Sequence, residues 1–263
     1  MTDPGEMESL LKDAMQSKEM LQLSGLADNA VNLMMEQAKR MMETMIGFKE
    51  LMMMYTCAMK EVQTKFEILS TECKLRHRRN PISTISTRLK RSTGIAEKMM
   101  RNGIPFSLAN VEGHINDVAG VRVICPYIDD IYTIADAFLA QDDIVLIAKK
   151  DYIENPKPNG YRSLHLIVTV PVFFAEGKKD VKVEVQIRTI AMDFWASLEH
   201  QMKYKQEIPD QELVSAELRA CAETIRETDE KMLSIRRKIE AAEDVQTEEE
   251  QLFEKFSRLD IHI

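Results

Sequence analysis

The hydrophobic pattern changes period twice along the 263-residue chain. Residues 28–70 contain no Pro and a single Gly, Gly47, and are rich in Met, Leu, Glu and Lys. Such residues lose little rotamer freedom in a helix, so the stretch predicts one long helix. The polar segment His77–Pro81 ends it, because the residue before a proline is driven out of helical backbone. A second helix is expected from Thr93 to Arg101, stopped by Asn102-Gly103-Ile104-Pro105. The rhythm then becomes that of strands. Val118–Tyr127, Ile144–Ala148, Ser163–Val170 and Val181–Arg188 are β-branched runs of strand length, with a helix expected over Asp129–Ala140 and a link between the last two strands at Glu176-Gly177-Lys178-Lys179. Together they predict an α/β (α+β) fold, a mixed sheet of about five strands flanked by helices.

From Ile190 the helical period returns, in two pieces split near Ile208-Pro209. In the second piece Leu218, Cys221, Ile225, Thr228, Met232, Ile235 and Ile239 step by 3 and 4, the spacing of a coiled-coil seam. That seam suits packing on its own domain or contact with another subunit. The expected organisation is a Met-rich helical extension over 1–70, a core over 71–206, and a C-terminal helix with a fraying acidic tail over 207–263.

Composition adds a local asymmetry. At 44% hydrophobic and 30% charged, the chain has the make-up of a folded soluble protein. Thirteen of its 18 methionines precede position 60, which suits irregular packing or a subunit contact. Net charge is −8, yet Lys74–Arg101 carries nine basic residues against the one acid Glu97. A basic block inside an acidic protein points to a local anionic ligand. Within it, Arg76, Arg78 and Arg79 read as a solvated helix end. The four cysteines form no C-x-x-C, the N-terminus carries acids where a signal peptide carries bases, and no run of about 18 apolar residues occurs. The expectation is reduced thiols, a cytoplasmic location and no membrane partner.

Phosphate loops of the G-x-x-x-x-G-K-[ST] and G-x-G-x-x-G kinds are absent, as are H-E-x-x-H and G-x-S-x-G. What remains is charge at strand ends. Asp117 precedes a strand that carries Arg122. Glu184 and Gln186, two apart, leave the same face of theirs, with Arg188 next in the polar row. A carboxylate from each strand can hold Mg²⁺, which takes few protein oxygens and completes its shell with phosphates and water. The segment Lys150–His165 is a Pro/Gly loop entering a strand, in which Lys157, Asn159, Tyr161 and Arg162 are packed close together. An exposed Tyr161 beside an amide and cations can stack on a base and bind its phosphates.

Four segments in order, Thr87–Met99 (TRLKRSTGIAEKM), Asp117–Val123 (DVAGVRV), Lys150–His165 (KDYIENPKPNGYRSLH) and Glu184–Thr189 (EVQIRT) with Ala191–His200 after it, resemble the synthetase domain of the RelA/SpoT family, especially its small alarmone synthetases. The resemblance covers roughly residues 45–240. It implies a nucleotidyltransferase-like domain that moves pyrophosphate from ATP to the 3′-hydroxyl of GTP or GDP, giving pppGpp or ppGpp. By the same resemblance Asp117 and Glu184 hold Mg²⁺ and Glu184 activates the ribose hydroxyl. Arg88 and Arg122 clasp adenine, while Lys90, Lys98 and Lys150 neutralise ATP phosphates. Tyr161 stacks on guanine, with Lys157, Asn159, His165 and Gln186 around that nucleotide. The resemblance also implies a homo-oligomer, a tetramer.

Some residues depart from the family pattern. No His-Asp pair occurs, so hydrolysis of the alarmone is not expected. Ile82–Thr87 lacks the aromatic found in alarmone-activated members, and Asp193 stands where Asn is usual, adding a charge that would repel a pyrophosphate. Two other readings compete. A toxin of the same fold would pyrophosphorylate the tRNA 3′ end, using the basic block as an RNA surface, with no stable DNA binding expected. A non-catalytic nucleotide or RNA sensor would have no need of both Asp117 and Glu184.

Overall fold

A computed structural model describes residues 4–76, 79–203 and 211–243. The chain divides into two units, Met1–Met53 and Met54–Ile263. The first unit belongs to helix α1 (Pro4–Arg76), the long helix that the Met-rich composition predicts. Its described side chains include Leu33, Met34, Met41 and Met45, all more than half exposed, so this part of the stripe is not core.

The second unit holds the rest of α1 and a five-stranded sheet. In chain order come β1 (Thr84–Leu89), α2 (Ser92–Arg101), α3 (Leu108–His114), β2 (Ala119–Cys125), α4 (Ile128–Leu139), β3 (Val145–Asp151), β4 (Leu164–Phe174), β5 (Gly177–Thr189), α5 (Ile190–Lys203) and α6 (Gln211–Glu243). The strand order is β1-β2-β5-β4-β3. β2 and β5 run parallel and the other neighbours antiparallel, as expected for a mixed sheet. The expected split near Ile208-Pro209 and the acidic tail beyond Glu243 lie outside the described residues, as do His77 and Arg78.

Two elements escape the sequence pattern. β1 is an edge strand with little burial, so Thr84–Leu89 shows no alternation of apolar and polar positions. α3 is a two-turn helix capped by Ser107, whose hydroxyl accepts from the Asn110 amide at 3.1 Å. The β4–β5 hairpin is longer than the apolar runs suggest and turns at Ala175-Glu176, before Gly177, whose φ of +125° suits only glycine.

Period-2 alternation sorts the central strands. Val121 and Val123, Val183, Val185 and Ile187, and Leu164, Leu166 and Val168 are buried. α4 buries Ile131, Ile134, Ala135 and Phe138, and Phe138 stacks on Phe66 of α1 with ring centroids 4.4 Å apart. Each fully buried side chain of this size contributes about 1.5–3 kcal/mol.

At the N-terminus of α4, acids meet two arginines. Arg79 binds Asp130 through both guanidinium ends, at 2.7 and 2.5 Å, and Arg236 of α6 pairs with Asp129. Both guanidinium groups lie over the Tyr127 ring, 5.4 and 4.9 Å from its centroid. Arg79 is therefore part of a structural clasp and no solvated helix end. Asp130 is 3% exposed, and removing it leaves Arg79 only the longer Glu240 carboxylate contact at 3.3 Å among the described residues. Asp130→Ala should lower stability by roughly 3 kcal/mol in equilibrium urea unfolding; a loss below about 1 kcal/mol would show that the clasp is not structural.

Candidate active site

The strand register lays polar residues across the sheet in rows. One row runs Ser86–Arg122–Gln186–His165–Lys150 over all five strands. The next runs Arg88–Gly120–Glu184. Adjacent residues in a row share a face, so the sheet itself assembles the charged set that the sequence spreads over a hundred residues. Gly120 leaves the space between Arg88 and Glu184 open. Arg88, Lys90, Asp117, Arg122, Tyr161, Glu184 and Gln186 line one cavity of about 620 Å³. That volume suits a nucleotide-sized ligand.

Asp117 sits two residues before β2 and is held by two lysines. Lys90 Nζ donates to Oδ2 and Lys98 Nζ to Oδ1, both at 2.7 Å. Ile95 and Met99 bury one side of α2 and so fix the helix that carries Lys98. Burial alone would raise the Asp117 carboxyl, but the two ammonium groups outweigh it and hold it below the usual carboxylate range. Glu184, on β5, takes its donors from the sheet. His165 Nδ1 lies 3.2 Å from Oε1, and Gln186 Nε2 donates to Oε2 at 2.8 Å. Burial again pushes the carboxyl up, and the His165 and Gln186 contacts override it, while the Asp117 charge opposes them. Both groups are carboxylates at neutral pH.

Tyr161 differs from the exposed ring that the loop composition suggests. It is partly buried, packed with Leu218 and Ile225 against the cluster of Trp195, Ala196 and Ala222. Its hydroxyl lies 2.7 Å from His165 Nε2 and accepts from Arg188 Nη2 at 2.6 Å. Lys157 Nζ stands 4.6 Å from the centroids of both Tyr161 and Tyr152. A base can stack on a Tyr161 face capped in this way only after Lys157 moves. Asn159 donates to Glu199 at 2.9 Å and accepts from the Tyr161 amide at 3.2 Å, which fixes the turn. Lys150 stands on β3 at the His165 end of the row, away from Arg88 and Lys90.

Several residues at the cavity carried no assignment. Arg188 is 4% exposed and bonds Tyr161, Gln186, Ser163 and Asp193. Its place four residues after Glu184 on the same strand was the available signal. Ser197, Glu199 and His200 reach the cavity from α5, where helical spacing alone does not single them out. Asp193 is spent on two cations, at 3.2 Å from both Arg122 and Arg188, so its charge is largely compensated. Among the described residues no group of three or more His, Cys, Asp or Glu gathers at one point. The carboxylate pair is what the site offers a cation.

A family profile described as the region found in RelA/SpoT proteins matches residues 87–209. GTP pyrophosphokinase YwaC of Bacillus subtilis is 43% identical over 208 residues, spanning 78% of this chain and 97% of that protein. GTP pyrophosphokinase YjbM of the same organism is 35% identical over 189 residues, 72% of this chain and 88% of that protein. The crystal structure of small alarmone synthetase 1 from Bacillus subtilis, bound to its product pppGpp, superposes with a TM-score of 0.68 at 34% identity, covering 73% of this chain and 98% of that one.

The turn bearing Tyr161 depends on one glycine. Gly160 has φ +90°, and a Cβ there would stand 2.5 Å from the Ala222 Cβ of α6. Gly160→Ala should cost roughly 2–3 kcal/mol and displace the Tyr161 turn from α6. A thermal midpoint unchanged from wild type would show that α6 yields freely.

Proposed function

The chain belongs to the RelA/SpoT family, and from that membership we propose that it is an alarmone synthetase, transferring pyrophosphate from ATP to the 3′-hydroxyl of GTP or GDP and releasing AMP. The observation that carries the reading is the pair of ionised carboxylates, Asp117 just before β2 and Glu184 on the parallel neighbour β5, with cations on one side and an aromatic turn on the other. Arg88 and Arg122 bind the adenine end, and Lys90 and Lys98 take the ATP phosphates. Lys150 and Lys157 add positive charge near His165, with Lys157 leaving the Tyr161 face as guanine stacks. Asn159, His165 and Gln186 border that nucleotide.

Glu184 takes the proton of the ribose hydroxyl, a poor nucleophile at neutral pH, as its oxygen bonds to the β-phosphorus of ATP and the bond to the α-phosphate oxygen breaks. Asp117 and Glu184 would hold Mg²⁺, whose charge when bound offsets that of the phosphate oxygens. The donor set fits. The two carboxylates repel each other, and among the described residues no Lys or Arg hydrogen-bonds to both. Lys90 and Lys98 are flexible ammonium groups that can leave Asp117 for phosphate oxygens.

The basic block gives little support to a tRNA substrate, since Arg79, Lys90 and Lys98 are engaged with acids of the fold itself. A cytoplasmic site of action agrees with four cysteines that form no C-x-x-C. No helix among the described residues is long and apolar enough to cross a membrane. A homotetramer agrees with the predicted α6 seam. Leu218 and Ile225 pack on their own domain, while Met232, Ile235 and Ile239 remain about half exposed.

Labelled ATP with GTP or GDP and Mg²⁺ should give a 3′-pyrophosphorylated guanine nucleotide on chromatography; its absence would sink the proposal. Glu184→Gln should lower kcat by on the order of 10²-fold with nucleotide binding retained. Turnover near wild type would remove Glu184 as the base.

A further inference from the structure

Arg188 is a buried cation whose charge is not needed to neutralise a buried acid. Its only carboxylate contact, Asp193, is shared with Arg122. Its Nη2 atom instead donates two hydrogen bonds, one to the Tyr161 hydroxyl and one to Gln186 Oε1, both at 2.6 Å. A guanidinium nitrogen of this kind carries two hydrogens and accepts nothing, so both bonds have a fixed direction. The Tyr161 hydroxyl proton and the Gln186 amide hydrogens are then turned away from Arg188.

The two paths meet again at one side chain. Because Gln186 presents its oxygen to Arg188, its amide nitrogen faces Glu184 and donates to Oε2 at 2.8 Å. Because the Tyr161 oxygen accepts from Arg188, its proton is free for His165 Nε2 at 2.7 Å, and His165 Nδ1 then carries the hydrogen that meets Glu184 Oε1 at 3.2 Å. The ionised Glu184 requires the same polarity from its own end, because a carboxylate only accepts. One guanidinium thus orients donors to both oxygens of Glu184 through two independent arms. The bonds that Nε donates to Ser163 Oγ and Nη1 donates to Asp193 Oδ1, both at 3.2 Å, fix the fork.

We propose that Arg188 is the positioning residue of this site, anchoring both hydrogen-bond arms that hold Glu184. The inference rests on the reading of Glu184 as the base, but the arrangement of donors can be tested without turnover. Without Arg188 the ionised Glu184 still draws a donor to each oxygen, but the Gln186 amide and the Tyr161 hydroxyl lose the bonds that hold them in place. Glu184 then loses its fixed orientation, while Arg88, Lys90 and Lys98 on the ATP side are untouched.

The experiment compares wild type, Arg188→Met and Arg188→Lys. In the ligand-free proteins, ¹⁵N NMR of the His165 ring reads the hydrogen bond at Nε2. Wild type should show Nε2 accepting from Tyr161, and both variants should shift that nitrogen toward its unbonded position. In turnover, Arg188→Met should lower kcat by about 10²-fold with KM for ATP within about threefold. Arg188→Lys, which has no planar fork, should recover no more than about a tenth of wild-type kcat. Circular dichroism and the thermal midpoint establish that each variant is folded. Should Arg188→Met fail to fold, Arg188→Lys decides alone. A folded variant with the wild-type His165 Nε2 shift and kcat within threefold of wild type would overturn the proposal. Absence of alarmone synthesis by the wild type would remove the assigned reaction yet leave the NMR result to stand or fall by itself.

Discussion

Two carboxylates, one at the mouth of β2 and one on its parallel neighbour β5, lose hydration and repel each other, and both must stay ionised if they are to meet a cation and a hydroxyl. The fold meets that demand in two different ways. Asp117 is held by two ammonium groups on flexible stems, one after β1 and one on α2. Glu184 is held by side chains rooted in the sheet, with Arg188 behind them. The first arrangement is exchangeable, because a lysine can trade a carboxylate for a phosphate at little cost. The second is fixed, because its donors cannot leave without breaking strand packing. The contrast matches a ligand that must be gathered and a base that must not move.

The β2–β5 pairing is what makes this geometry available. It is the parallel pair of the sheet, and its register sets Glu184 beside Gly120 and Gln186 beside Arg122. The valines between those positions point to the opposite face and are buried, so the polar rows and the core are two sides of the same strands. A one-residue slip would exchange the two faces and bury the charged set. The hydrophobic core therefore specifies the site as strictly as the site residues do.

Much of this was legible in the sequence, and the exceptions have physical reasons. The central strands announce themselves through β-branched runs, and the strand order could not be read because pairing partners leave no local trace. β1 was missed because an edge strand buries too little to show alternation. Arg79 looked solvated because its partner Asp130 lies 51 residues away, and only the fold brings them together. Tyr161 looked exposed because the helix that covers it, α6, comes some sixty residues later. The coiled-coil rhythm of α6 also mixes two faces. Ala222, Asp229 and Arg236 turn inward, and none of them belongs to the predicted seam.

The chain contains a single tryptophan, and its place gives the protein a built-in optical reporter. Trp195 is 5% exposed, donates its indole hydrogen to the Leu218 carbonyl of α6 at 2.9 Å, and shares its cluster with Tyr161. Indole emission shifts to longer wavelength when water replaces apolar neighbours. Fluorescence of the unlabelled protein therefore follows the joint between α5, α6 and the Tyr161 turn, and any ligand that loosens or tightens this joint writes its effect into one spectrum.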